Sequence, residues 1–302
     1  MHNTSQNNAV ERVIAALPSN HSDEKNKRRR KGARWNKFNR TFIVGVSLVV
    51  FIFLLAWVGA ALSPYDQLEQ NLRNGLQPPD LEHPLGTDQF GRDILTRILY
   101  GLRIDLQIGI ITTVYTMLIG VVIGAVTGYF GGWVDTLFMR LLDMLIAFPT
   151  LVLTIAVIAM LGQGIINMYI AIGIVGWIAY ARLLRGEILV AKETEYTLAA
   201  RTIGAKNSRI IWNHLMPNVI TPCIVFAMSD VILNILFVAS LGFIGLGIQP
   251  PTPELGTMIS DGRKFILGNP NLTTFPGLAV VLIGIAFSVL GDGLADYLRP
   301  PQ

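Results

Sequence analysis

Long uncharged apolar runs, separated by shorter polar stretches, set the frame of this chain. Thr41 to Leu62 carries no charge and ends at SPYD, enough residues to cross hydrocarbon as a helix rising about 1.5 Å per residue. Residues 63–105 are mixed and polar, with Pro78-Pro79, several acids and several arginines, and read as a sizeable segment outside the membrane. Leu106 to Val134 is again uncharged and leaves through the glycine-rich GYFGGW at 128–133.

From Met144 to Ala181 the chain runs 38 residues without a charge, nearly twice what one membrane-crossing helix requires. GQG at 162–164 with Asn167 is the natural break, predicting a tight pair, helix three over about 143–161 and helix four over about 166–184. Residues 185–217 are charged and mostly helix-compatible. Val219 to Ile248 predicts helix five, residues 249–274 a loop, and Phe275 to Leu290 helix six. The pattern therefore predicts an all-α integral membrane protein with six transmembrane helices.

Composition agrees. Of 302 residues, 52% are hydrophobic and 15% charged, and the mean hydropathy is +0.50, too apolar for a surface that must face water. The net charge of +4 is uneven: residues 1–41 hold ten Lys/Arg against three acids, the remainder fourteen against seventeen. The basic run KNKRRRKGARWNK at 25–37 directly precedes an apolar span, so residues 1–40 read as a cytoplasmic tail at the membrane surface rather than a nucleic-acid arm. The run lies too far from the start, before too long a span, for a signal peptide. With the N-terminus inside, the inner segments hold eighteen Lys/Arg and the outer loops six. That asymmetry supports this orientation, an even number of spans and a cytoplasmic C-terminus at 299–302. Cys223 is the single cysteine, which excludes an intrachain disulfide or cysteine metal cluster.

Several residues are candidates for function. Gly120, Gly124 and Gly128 fall at four-residue spacing, a stripe of bare backbone for close helix approach, either within this chain or against a partner subunit. Asp230 with Asn234 one turn on shares a face of helix five. An intramembrane carboxylate is costly, so the pair either lines a pathway or makes a structural hydrogen bond to another helix. Asp143 reads as a helix-three N-terminal residue and Pro149 as an early kink. His83 and His214 lie on opposite sides of the membrane with no nearby Cys or His, so no metal site is expected within this chain.

The segment LAARTIGAKNSRIIWNHLMPN, Leu198 to Asn218, reads as two short helices with a bend, Gly204 ending the first and Pro217 breaking the second. Joined stiffly to two membrane helices, it would let a partner rock the bundle. It resembles the EAA loop of ABC importer permeases, a Glu-Ala-Ala, three residues, Gly pattern closed by Leu-Pro: Ala199, Ala200, Gly204 and Pro217 match in register. Leu198 and Met216 replace the family Glu and Leu. HPLGTDQFGRDILTRILYG (83–101), GYFGGWVD (128–135), DMLIAFPTLVL (143–153), SLGFIGLGIQPPTPELGTMISDGR (240–263) and FPGLAVVLIGIAFSVLGDGLADYL (275–298) narrow the likeness to C-type permeases of dipeptide, oligopeptide and nickel importers.

The resemblance implies a type I, MetI-like permease fold, with a transmembrane domain over 106–298 and a coupling segment at 185–217, in a bacterial inner membrane. It also implies a homologous B-type permease partner, an external solute-binding protein and two cytoplasmic ATPases. Those ATPases would dock on Tyr196, Ala199, Ala200, Ile203, Gly204 and Ala205. The chain has no Gly-x-x-x-x-Gly-Lys-Ser/Thr loop, and GAKNS at 204–208 is too short to cradle phosphates. ATP and Mg are therefore expected on the partner subunits, with no cofactor on this chain. A self-contained secondary transporter would need coupling carboxylates and usually inverted repeats, for which Asp230 alone stands. An intramembrane enzyme lacks His-Glu-x-x-His and Gly-x-Ser-x-Gly.

Overall fold

A computed structural model describes residues 40–298; the basic tail ahead of them and the C-terminal residues lie outside the described part. Every regular element in it is helical. We number the longer helices α1 Arg40–Leu62, α2 Ile94–Phe130, α3 Gly132–Ile146, α4 Thr150–Leu161, α5 Ile165–Ala191, α6 Glu195–Thr202, α7 Thr221–Phe243, α8 Leu255–Gly262 and α9 Asn271–Leu298. Five of these (α1, α2, α5, α7, α9) are long and apolar enough to cross a membrane, and α3 with α4 forms a sixth candidate bent by 87°.

That bend departs from the expected straight helix over 143–161. Pro149 is not an early kink within one helix: it is extended (ψ 126°) and stands as the residue before α4. Its ring disfavours a helical conformation in the preceding residue, and the chain breaks there between α3 and α4. Asp143 accordingly lies in the last turn of α3 rather than at a helix start, and its carboxylate accepts from Arg182 Nη2 at 2.7 Å. The break at Gly162 to Gly164 is where the uncharged run predicted it. Both glycines have positive φ, and Asn167 Nδ2 donates to the Leu161 and Gly162 carbonyls.

Helix α2 starts twelve residues before the apolar run does. At about 1.5 Å per residue it is ~55 Å long, well beyond the ~30 Å of hydrocarbon. Asp93 caps it, accepting from the Thr96 N–H and hydroxyl, both at 2.7 Å, and pairing with His83 Nδ1 at 3.0 Å. Asp88 accepts from Arg92 Nε at 2.6 Å, and Arg97 donates to the Gln67 carbonyl at 3.0 Å. The polar segment after α1 is thus a folded cap around the head of α2.

Gly120, Gly124 and Gly128 all face α5. A Cβ on Gly124 would stand 2.6 Å from the Ala181 carbonyl oxygen, one on Gly128 2.9 Å from Ile188 Cγ2, and one on Gly120 would collide with the Trp177 carbonyl. The stripe is therefore internal to this chain. Lipid tails are as apolar as the side chains, so such close backbone approach, rather than escape from water, holds membrane helices together.

Two clusters of packed side chains divide the bundle by level. One, with Ile52, Ile98, Leu102, Ile235, Leu255 and Phe287, joins α1, α2, α7, α8 and α9. The other, with Tyr129, Leu184, Ile188, Ala200, Ile211, Leu215 and Cys223, joins α2, α5 and α7 to the segment at 195–219. We call these the α8 end and the α6 end. Phe42 stacks on Tyr297 with ring centroids 5.5 Å apart, so the start of α1 and the finish of α9 lie together.

Candidate functional site

The α6 end carries the bent segment singled out in the sequence. Helix α6 stops at Gly204, whose φ is +77°, in a closing pattern with the Gly204 N–H on the Arg201 carbonyl (2.9 Å) and the Ala205 N–H on the Ala200 carbonyl (3.1 Å). This paired arrangement needs a left-handed residue that glycine adopts without steric cost. The chain then re-enters helix at Asn207–Arg209, widens into a π-type turn at Ile210–Leu215 and closes at Met216–Val219 around Pro217. Widened turns of this kind accompany interrupted helical hydrogen bonding.

The segment is two-faced. Ala200, Ile210, Ile211 and Leu215 are buried against α2 and α5, and Ala205 packs beside them. The Tyr129 hydroxyl donates to Asn207 Oδ1 at 3.0 Å, the Arg201 guanidinium stacks on the Tyr129 ring at 5.2 Å, and Lys192 Nζ donates to the Gly128 carbonyl at 3.1 Å. The other face is open: Ile203 is 84% exposed, with Tyr196, Leu198, Ala199 and Gly204 also exposed. Of the six residues expected at a docking surface, Tyr196, Ala199, Ile203 and Gly204 are therefore presented outward. Ala200 is turned inward and Ala205 is half-buried, so these two tie the segment to the bundle instead.

Within the bundle, Asp230 and Asn234 are brought together on α7 as the spacing required. Asp230 Oδ2 accepts from the Tyr180 hydroxyl at 2.8 Å and from Asn234 Nδ2 at 3.2 Å, and Asn234 Nδ2 also donates to Thr113 Oγ1 at 2.9 Å. One cluster thereby links α2, α5 and α7. The carboxylate is answered by neutral donors, one from α5 and one from its own helix. Tyr180 and Thr113 were not nominated from the sequence. Their only signal is a polar atom within an apolar run, which many membrane residues share.

A second link joins the bent pair to α5. Arg185 Nε and Nη2 donate to the two oxygens of Asp135 at 2.5 and 2.6 Å, a two-pronged pair between α3 and α5. No group of three or more His, Cys, Asp or Glu side chains among the described residues could hold a metal ion.

Five helices long and apolar enough to cross a membrane, a bent sixth candidate and a two-faced segment anchored at one end define an all-helical protein with the make-up of a membrane-embedded bundle. The profile of the binding-protein-dependent transport system inner membrane component family matches residues 120–301, and that of the N-terminal TM domain of oligopeptide transport permease C matches residues 36–79. The chain belongs to the family of binding-protein-dependent transport system inner membrane components, and its N-terminal part places it with the C-type permeases.

Among its relatives, the dipeptide transport system permease protein DppC of Alkalihalophilus pseudofirmus is 42% identical over 87% of each chain. The glutathione transport system permease protein GsiD of Pectobacterium atrosepticum is 40% identical over 88% of this chain and 91% of its own. The Bacillus subtilis DppC is 39% identical over 87% of this chain and 83% of its own. A chain of the MetNI methionine ABC transporter in inward-facing conformations shares the fold, with a TM-score of 0.55, 16% identity, and coverage of 68% of this chain and 97% of that one. The MetI-like fold and the ABC permease class expected from the motifs are thus both met. The subunit works with other components of an ABC transporter.

Proposed function

We propose that this chain forms half of the translocation pathway of an ATP-driven importer for dipeptides or other short peptides. The reading is supported by the names of its relatives, a dipeptide and a glutathione permease. The second half is a homologous B-type permease, and a solute-binding protein delivers the peptide at the α8 end. Two ATPase subunits, which bind the ATP and Mg, dock on the outward face of α6. The α6 end, with both chain termini, faces the cytoplasm, as the basic tail and the eighteen-to-six division of Lys/Arg favour.

The observation that carries the coupling role is the division of the 195–219 segment into a buried and an exposed face. A helix that merely connected two spans would not need Ala200, Ile211 and Leu215 packed into the bundle. That packing transmits a push on Ile203 to α2, α5 and α7. Closure of the ATPases then moves α6 and switches the bundle between inward-open and outward-open states, with hydrolysis resetting it.

The test is ATP-dependent uptake of a labelled dipeptide, presented by the solute-binding protein, into vesicles holding the two permeases and two ATPases. Ile203→Asp should leave the amount of complex's permease in the membrane unchanged and reduce uptake to background. Full uptake by Ile203→Asp, or uptake without nucleotide, would sink the reading. A binding protein that retains a nickel complex instead of a peptide would correct the substrate alone.

A further inference from the structure

Helices α2, α3 and α5 enclose an apolar groove of about 460 Å³ that neither the 195–219 segment nor the Asp230 cluster uses. Tyr115 and Ile119 of α2, Phe138 of α3, and Ile170, Gly173 and Trp177 of α5 are among its walls. Two of its polar atoms are already committed. The Tyr115 hydroxyl donates to the Tyr169 carbonyl, and the Trp177 indole N–H donates to the Ile174 carbonyl at 3.0 Å. The first bond needs glycine at 173, because a Cβ there would collide with the Tyr115 ring. Tyr169 is the third lining residue with a polar side-chain atom, and it stands nearest the start of α5.

The ion pairs of α3 set its direction. Asp135 meets Arg185 and Asp143 meets Arg182, so eight residues of α3 pass only three of α5, about 12 Å of axis against about 4.5 Å. Helix α3 therefore crosses α5 steeply, just beyond Trp177, and Phe138 closes the groove toward the α6 end. The open side joins a stripe of exposed α2 residues, Ile111, Val114, Leu118 and Val122, which holds no polar side chain. A route for peptides must be wet, whereas a face of this kind meets lipid.

Length and volume select the occupant. From Tyr115 to Ile123 the groove runs about 12 Å along α2, over which a helix about 10 Å across fills roughly 900 Å³, about twice the space present. A polar ligand would find its donors and acceptors already engaged along most of the walls. Left empty, the opening would deprive its lining atoms of dispersion contacts. A single flexible alkyl chain meets all of these conditions. Helix α3 also needs such a filler: its one buried residue is Leu142, and it joins α2 through Gly131 and Gly132, both at positive φ.

We infer that one acyl chain of a membrane phospholipid lies in this groove, its ester end toward Tyr169, and props α3 against α2 and α5. The inference rests on the chain lying in a bilayer and not on what it transports. Lipid tails are as apolar as the walls, so the preference comes from packing rather than from escape from water.

The experiment uses the assembled transporter, formed in membranes of phosphatidylethanolamine and phosphatidylglycerol and then washed in detergent. A photoreactive benzoylphenylalanine replaces Ile170, 46% exposed in the groove, or Leu118, 57% exposed outside it. After irradiation, mass spectrometry should find phospholipid adducts at position 170 about tenfold above those at 118, the ratio that about 1.4 kcal/mol of preference sets. Ile119→Phe, which puts a ring into the groove, should cut the adduct at 170 to the level at 118. Stripping the lipid should raise hydrogen exchange of the α3 amides and leave that of the α8 amides unchanged. Equal phospholipid adducts at the two positions overturn the held chain, whether or not Ile119→Phe folds. A peptide adduct from the second permease at 170 would overturn it too, by seating a partner helix there. Undiminished adduct in a folded Ile119→Phe removes the groove as the seat, and unchanged α3 exchange on stripping removes the prop.

Discussion

The Tyr180 hydroxyl donates to the Asp230 carboxylate at 2.8 Å, tying α5 to α7 inside the bundle, and Asn234 extends the tie to Thr113 on α2. One hydrogen-bonded chain, Tyr180 to Asp230 to Asn234 to Thr113, joins the three helices. Asp230→Ala should orphan the Tyr180 hydroxyl and destabilise the purified chain by about 1–3 kcal/mol. Asp230→Asn keeps an acceptor and should melt near the wild type and transport. A well-folded Asp230→Asn protein that no longer takes up peptide would transfer Asp230 from a structural tie to the pathway.

The α2 to α5 seam gives a second expectation. Gly124 has the Ala181 carbonyl oxygen 2.6 Å from where its Cβ would be, whereas Gly277 on α9 has nothing within 4 Å. Gly124→Ala should cost about 1–3 kcal/mol by overpacking, and Gly277→Ala should cost nothing. Thermal unfolding of the two variants side by side checks this; equal melting would mean the seam gives way freely.

The contrast between those two glycines also shows what the sequence could convey. Four-residue spacing located a packing stripe at Gly120, Gly124 and Gly128, because helical periodicity is local. Which surface meets it is a matter of tertiary approach, and spacing left an internal and an intersubunit seam open. The spans themselves were legible from uncharged length, yet Arg97, Arg103 and Asp105 hid the first three turns of α2. In water-like reading those charges mark a loop; in the folded protein Arg97 and Asp105 are both buried, and Arg97 donates to carbonyls 30 and 154 residues away. The signal that could have found that start is Asp93 followed by Thr96 and the Ile94, Ile98, Leu102 repeat. Similarly, Glu254 caps a helix inside what composition presents as a Pro-rich loop. In the segment at 195–219 the bend at Gly204 was readable, whereas the inward turn of Ala200 depends on where α2 and α5 stand.

The two-pronged Arg185 to Asp135 pair fixes the bent α3 to α5. Both side chains are partly exposed, so solvent screens them and the pair should contribute only about 0.5–1 kcal/mol. Its geometry makes a charge swap informative. Arg185→Asp or Asp135→Arg alone sets like charges together and should lower the melting temperature, and the double exchange should recover most of the loss. A double variant no better than either single one would show that the pair does not hold α3.

Gly204 allows a test that separates the proposed docking from folding at the α6 end. Its positive φ means that any side chain there costs roughly 1–2 kcal/mol of backbone strain, and nothing lies within 4 Å of the Cβ position. Gly204→Ala and Gly204→Trp therefore carry the same strain and differ only in the bulk they project into open space. Both should insert and melt alike, slightly below the wild type. If the outward face of α6 seats against an ATPase, uptake should fall modestly in the alanine variant and vanish in the tryptophan variant, because only bulk holds the partner away. Equal loss in both would trace the defect to the backbone bend, and normal uptake with tryptophan would remove the docking role from this face.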